Sequence, residues 1–210
     1  AGQATSDKSS STAHFADAAE VASDVNLLVK NAGVAGGAGD GIGDPSNQEQ
    51  TRHQMEVNYF GTLDATQAFI PILGSNGGGA LVNLVSVAGI VNFPLFATYS
   101  ASKAAPHSLT QGVRLGLVAQ GTLVAGVYPG PVDTDMAAGI PMEKTSPQVV
   151  ANNILDGLEA GSEDIYPDPM AVGMGAGYEE SPKGLERQVA EQVDDKEDRK
   201  LLTDDLVTLI

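Results

Sequence analysis

Ala80-Leu-Val-Asn-Leu-Val85-Ser86, followed after a short loop through Pro94 by Ala97-Thr-Tyr-Ser-Ala-Ser-Lys-Ala-Ala105, decides how this chain folds. The first stretch is a short, nearly continuous apolar run bounded by glycines, the pattern of a strand buried on both faces of a parallel sheet. The second reads as a helix, and it carries Tyr99 and Lys103 one turn apart. Residues at that spacing share a helix face, with Cβ atoms about 5–6 Å apart. An ammonium beside a phenol favours the phenolate and lowers the tyrosine from its ordinary pKa of ~10. Such a tyrosine is a usable general acid/base near neutral pH. A Tyr-x-x-x-Lys pair recurs by chance, so its weight comes from its surroundings.

Outward from this pair, strands and helices alternate. Ala13 to Ala22 reads as a short helix, and Val25-Asn-Leu-Leu-Val29 as a buried strand that ends in Asn31-Ala-Gly33. A glycine-rich loop spans Val34 to Asp44. Ser46, with Glu49 three residues on, has the form of a capping box, and a long helix follows to about Leu73. Gly74 to Gly79 is a turn. Thr122 to Tyr128 is a third strand, broken by Pro129-Gly-Pro131. Ser146-Pro147 opens a further helix, an N-cap followed by proline in the first turn. Ile165-Tyr166 reads as a short last strand, and residues 179–193 as a mostly solvated helix. Alternation of this kind predicts an α/β fold: a three-layer, Rossmann-like parallel sheet with helices on both faces and right-handed crossovers. Ligands of such sheets bind beyond the carboxyl ends of the strands. Asn31-Ala-Gly33, Ser86 and Pro129-Gly130 all fall at such ends, so separate pieces of chain converge on one crevice.

Composition narrows the function classes. The 210 residues suit one domain, taken as residues 13–193 between a polar, flexible lead (1–12) and a charged tail (194–210). A net charge of −16 disfavours nucleic acid and anionic membranes as partners. The absence of cysteine excludes disulfides, thiolate metal sites and cysteine nucleophiles. His14, His53 and His107 have no metal-ligand spacing, so no metal site is expected. No apolar run approaches the ~20 residues of a membrane span, and residues 1–8 lack the pattern of a signal peptide. A cytoplasmic location is the expectation.

With Asn31-Ala-Gly33, Asn58 within Glu-Val-Asn-Tyr-Phe-Gly61, Ser86, Tyr99-x-x-x-Lys103 and Pro129-Gly-Pro-Val-Asp-Thr134 in this order, the chain resembles the short-chain dehydrogenase/reductase family over roughly residues 13–170. The resemblance implies interconversion of a carbonyl and an alcohol with NAD or NADP. It implies that Tyr99 exchanges a proton with the substrate oxygen, that Lys103 lowers the Tyr99 pKa and holds the nicotinamide ribose, and that Ser86 hydrogen-bonds the substrate. Asn58 would seat a water that relays protons toward Lys103. Asn31, Ala32 and Gly33 would line the adenosine side of the cofactor. Pro129 and Gly130 would back the nicotinamide, with Val132 and Thr134 at its carboxamide. A small-molecule partner and a homo-oligomer are implied as well.

Three departures from the family pattern carry their own expectations. The glycine-rich turn that receives the pyrophosphate should precede Asn31 and does not, as though about two βα units were missing. Gly37, Gly39 and Gly41 to Gly43 imitate its spacing, but they follow Asn-Ala-Gly and run into Asp44-Pro45, so they read as a loop. Without those units the strand of Val25–Val29 becomes an edge. Lys30, where the family carries asparagine, reads either as a charge guarding that edge or as an ordinary substitution. Pro106 lies inside the Tyr99 helix, where it removes an N–H and is expected to kink it. The missing turn keeps two other functions open. One is a cofactor-independent hydrolase with Ser86 as nucleophile beside Tyr99 and Lys103; the other is a non-catalytic family member that survives as a binding module. Ala137, Ile140 and Met142 suggest an apolar lid.

Overall fold

Residues 8–36 and 45–191 are described by the computed structural model. The glycine-rich imitation at 37–43 and the charged tail at 194–210 lie outside the described residues. The elements are, in chain order, α1 (Lys8–Val21), β1 (Leu27–Lys30), α2 (Gln48–Met55), a π-helical turn (Glu56–Phe60), α3 (Gly61–Ser75), β2 (Gly79–Leu84), α4 (Ala97–Leu117), β3 (Thr122–Val127), α5 (Pro147–Glu159), β4 (Asp164–Ile165), α6 (Pro169–Glu180) and α7 (Pro182–Glu191). The four strands form one parallel sheet in the order β1-β2-β3-β4.

Side chains alternate across a strand, and here both faces are apolar. Leu81 and Val124 pack with Leu73 of α3 and Leu117 of α4 on one face. Val82, Ala125, Val127 and Ile165 pack on the other against Ile154 and Leu158 of α5. The sheet therefore carries helices on both faces, as the near-continuous apolar runs require. The turn into β2 depends on glycine. Gly79 has φ +93°, and a side chain there would collide with the Asn26 carbonyl oxygen, the acceptor of the Ala80 N–H at 2.8 Å.

β1 pairs on one side only among the described residues, as its expected edge position requires. Its outward residues Leu27 and Val29 are 43% and 48% exposed, while Leu28 packs into the α3–α4 core. Lys30 does not guard this edge. It turns inward, and its Nζ donates to the Thr66 hydroxyl and to the Thr62 carbonyl (3.4 Å) on α3.

Several boundaries differ from the sequence expectation. α1 begins at Lys8, so residues 8–12 are helical rather than part of a flexible lead. The Ser46–Glu49 capping box is not what starts the long helix. A 3-10 turn over Pro45–Asn47 comes first, and Asn47 is the N-cap of α2 without a side-chain cap bond. α4 runs from Ala97 to Leu117 through Pro106, which is buried. α6 was not foreseen. Its start, Asp168-Pro169, is an N-cap and proline pair, but Gly173, Gly175 and Gly177 hide it from propensity. α7 is exposed except for Leu185 and Val189, which pack on Val91. No helix among the described residues is long and apolar enough to cross a membrane.

Burial pushes the Lys30 amine down to about 7 from an ordinary 10.5. Between those two values the unfolded chain holds the extra proton, so stability rises with pH. Lys30→Met should flatten part of that rise, seen as a smaller gain in the urea midpoint between pH 7 and pH 9.5 than in the unmodified chain.

Candidate active site

The site forms where three strand ends meet the first turns of α4. Ser86 follows β2 in extended backbone. Its Oγ accepts the Ala88 N–H at 3.1 Å and caps a short 3-10 turn. The same oxygen donates to the Pro129 carbonyl at 3.4 Å, beyond the end of β3. Tyr99 lies in the first turn of α4, with Ser86 near enough to favour its phenolate. Lys103, one turn later, is 6% exposed. Its Nζ donates to the Leu84 carbonyl at 3.1 Å and sits 5.9 Å from the centre of the Tyr99 ring.

Asn58 occupies the middle of the π-helical turn and is 2% exposed. Its Oδ1 accepts the Val34 N–H at 2.9 Å, and its Nδ2 donates to the Val34 carbonyl at 2.9 Å and to Ser102 Oγ at 2.8 Å. Ser102 Oγ in turn donates to the Tyr99 carbonyl at 2.7 Å. One carboxamide thus joins the loop after β1 to the helix that carries Tyr99 and Lys103. Gly33 sits against both. A Cβ there would stand 3.2 Å from Lys103 Nζ and 3.3 Å from Asn58 Oδ1.

These contacts bring Asn58, Gly33, Lys103 and Tyr99 together, and Ser86 with Pro129, whose peptide continues to Gly130, while Asn31 and Ala32 stand exposed after β1. Val132 and Thr134 lie on the loop that follows Pro131. Val132 bridges to Thr145, and Thr134 is exposed, its hydroxyl donating to the Val132 carbonyl at 3.3 Å. In the same loop Ala137 is buried, whereas Met136 and Met142 are 55% and 51% exposed. Among the described residues no cluster of histidines and carboxylates could hold a metal ion.

The electrostatics differ from the expectation that an adjacent ammonium lowers Tyr99. Burial raises the Tyr99 phenol above its ordinary value, with the Ser86 hydrogen bond pulling the other way. The same burial pushes Lys103 down to about 8. Desolvation disfavours both charged forms, and the Lys103 amine spends its close contact on the Leu84 carbonyl.

Two groups were not legible as functional in the sequence. Asp168 is 4% exposed. Its Oδ2 accepts the Gly130 N–H at 2.8 Å and its Oδ1 the Ala171 N–H at 2.9 Å. His107, one turn beyond Lys103, shares a 2.8 Å hydrogen bond with Tyr128, whose hydroxyl lies 3.3 Å from Asp164. Burial lowers His107 and raises Tyr128. Arg114 closes this array on Asp164 at 2.8 Å.

A parallel sheet with a Ser-Tyr-Lys-Asn cluster beyond its strand ends defines the class, and comparison with known proteins names it. Residues 3–145 match the family model described as short chain dehydrogenase, and the chain belongs to that family. It is 31% identical over 122 residues to the uncharacterized oxidoreductase YusZ of Bacillus subtilis, covering 58% of this chain and 42% of the relative. It is 37% identical over 112 residues to an uncharacterized oxidoreductase of Staphylococcus epidermidis, covering 53% and 48%. The matches thus span less than half the length of these relatives. Among solved structures, a short chain dehydrogenase from Burkholderia cenocepacia in complex with NADP superposes with a TM-score of 0.79 at 36% identity, covering 85% of this chain and 76% of that one. An alcohol dehydrogenase from Thermococcus sibiricus, at 22% identity and a TM-score of 0.64, shares the fold.

Asn58→Ala should leave the Val34 N–H and carbonyl and Ser102 without their buried partner. Orphaned groups of this kind cost about 1–3 kcal/mol each before relaxation, so a loss of about 2–4 kcal/mol is expected in urea unfolding.

Proposed function

We propose that this chain carries the proton-transfer half of a nicotinamide-dependent oxidoreductase that interconverts a carbonyl and an alcohol on a small molecule. The observation that carries this reading is the buried Lys103, whose Nζ stands 5.9 Å from the centre of the Tyr99 ring one helical turn before it, with Ser86 at the end of β2 near enough to act on the phenol. The residues fit NAD or NADP at the nicotinamide end. Gly33 lets the backbone come close to Lys103 Nζ and Asn58 Oδ1, which a Cβ would crowd at 3.2 and 3.3 Å. At the pyrophosphate end no glycine-rich strand-to-helix turn stands among the described residues.

When bound, the nicotinamide supplies or accepts the hydride. The chain's own groups handle the proton. Ser86 hydrogen-bonds the substrate oxygen and aligns it with Tyr99. Tyr99, kept protonated by burial, donates its proton to that oxygen during reduction and takes it back during oxidation. Lys103 holds the ribose and stabilises the phenolate that reduction leaves behind. Asn58 fixes the Val34 backbone and Ser102, and seats a water that returns a proton toward Lys103. Asn31, Ala32 and Gly33 would line the adenosine side, and Val132 and Thr134 would serve the carboxamide. Cytoplasmic residence and a homo-oligomer complete the proposal. The hydrolase reading has less support: Tyr99 is shifted toward its neutral form, and Lys103 Nζ is turned to the Leu84 carbonyl.

Titration with NADH and NADPH by fluorescence should show saturable binding. Tyr99→Phe should then retain that binding and lose about 10²–10⁴ in carbonyl reduction, the usual contribution of a positioned acid. No binding at millimolar dinucleotide overturns the oxidoreductase reading, and a p-nitrophenyl esterase rate abolished by Ser86→Ala would replace it with the hydrolase.

Reduction should also fall as pH rises through about 8, where Lys103 gives up its charge. A kcat/KM profile flat to pH 10 removes the charged role of Lys103.

A further inference from the structure

The peptide group between Pro129 and Gly130 is held at both ends. Its carbonyl accepts the Val87 N–H at 3.1 Å and Ser86 Oγ at 3.4 Å, on the side of the catalytic cluster. Its N–H donates to Asp168 Oδ2 at 2.8 Å, on the side away from it. Asp168 is also the N-cap of α6, through Oδ1 and the Ala171 N–H.

Capping alone does not explain an aspartate here. A helix N-cap needs one acceptor, which serine, threonine or asparagine provides as well. A carboxylate that is 4% exposed bears a large desolvation cost, offset when each oxygen accepts a backbone N–H at a helix start. Asparagine would turn an NH₂ toward one of the two N–H groups; serine would leave Gly130 unanswered. Only a carboxylate satisfies both. Gly130 points the same way. Its φ is not positive, so the backbone itself does not require glycine. Clearance does: a Cβ at Gly130 would lie 2.9 Å from Asp168 Oδ1 and 3.2 Å from Met170 Cβ.

We propose that Asp168 is a positioning residue for the active site, acting through the Pro129–Gly130 peptide to set the wall against which the nicotinamide lies and the carbonyl that orients Ser86. The inference rests on the cofactor reading given above. Asp168 touches neither substrate nor cofactor. It fixes where the peptide plane stands, and through it the distance between that wall and the Ser86–Tyr99 pair.

The test uses Asp168→Ser, which keeps a capping hydroxyl, and Asp168→Asn, which keeps volume and cap, each checked by melting temperature. Hydrogen exchange of the Gly130 amide is followed by NMR, and binding of NADPH, NADH and ADP-ribose by calorimetry. The expected result is Gly130 exchange accelerated at least tenfold and dinucleotide affinity weakened about tenfold or more. ADP-ribose affinity should be unchanged, because it lacks the nicotinamide. Folded variants with unchanged Gly130 exchange, or with equal losses for dinucleotide and ADP-ribose, overturn the inference. If the unmodified chain binds no dinucleotide, the cofactor reading fails by itself, and the Gly130 exchange still decides whether Asp168 clamps the peptide.

Discussion

The Asn58 carboxamide is the tie on which the site depends. It spans three segments that are far apart in sequence: the loop after β1, the π-helical turn and the second turn of α4. Its oxygen and nitrogen satisfy both polar groups of Val34, and its second N–H takes Ser102. The α/β sheet alone would leave these segments free to settle by apolar packing, which is tolerant of small shifts. Directional hydrogen bonds from one buried amide are not. The π-helical turn follows from this demand. The Gly61 N–H reaches back to the Glu56 carbonyl, and the widened turn sets Asn58 in the buried position where it meets Val34.

The two cations of the site region are handled by the same physics with different outcomes. Lys30 and Lys103 both lose hydration, and both sit well below the ordinary lysine value. Lys30 is enclosed by threonine oxygens of α3 and serves packing between β1 and α3. Lys103 faces Gly33, Leu84 and Tyr99. A lysine that is easily deprotonated is compatible with proton exchange beside a tyrosine that is hard to ionise. Both shifts come from burial rather than from an effect of the lysine on the tyrosine.

Much of the fold was legible because it is written in period. The apolar runs of β2 and β3, unbroken because both faces are covered, located the strands within one or two residues. Tyr99, Lys103, Ser86 and Asn58 were legible because their order and spacing are jointly restrictive. What was not legible depends on contacts between distant residues. The π-helical turn has no compositional mark. Asp168 looks like an ordinary cap until Gly130 arrives against it. Lys30 looks like a surface charge until α3 is seen to offer two oxygens. Pro106 removes an N–H inside α4, yet the helix continues through it to Leu117.

Arg114 gives α4 a mechanical property of its own. It binds the Val124 and Glu163 carbonyls at 3.1 and 2.6 Å and Asp164 at 2.8 Å, pinning the far part of the helix to β3 and β4. Tyr99 stands about 22 Å up the same rod, at 1.5 Å per residue. A tilt of about one degree around Arg114 would swing the Tyr99 backbone by about 0.4 Å over that lever, close to the ~0.5 Å within which a reacting constellation must be held. The position of Tyr99 is thus set partly at the opposite end of its helix, by the Arg114 guanidinium.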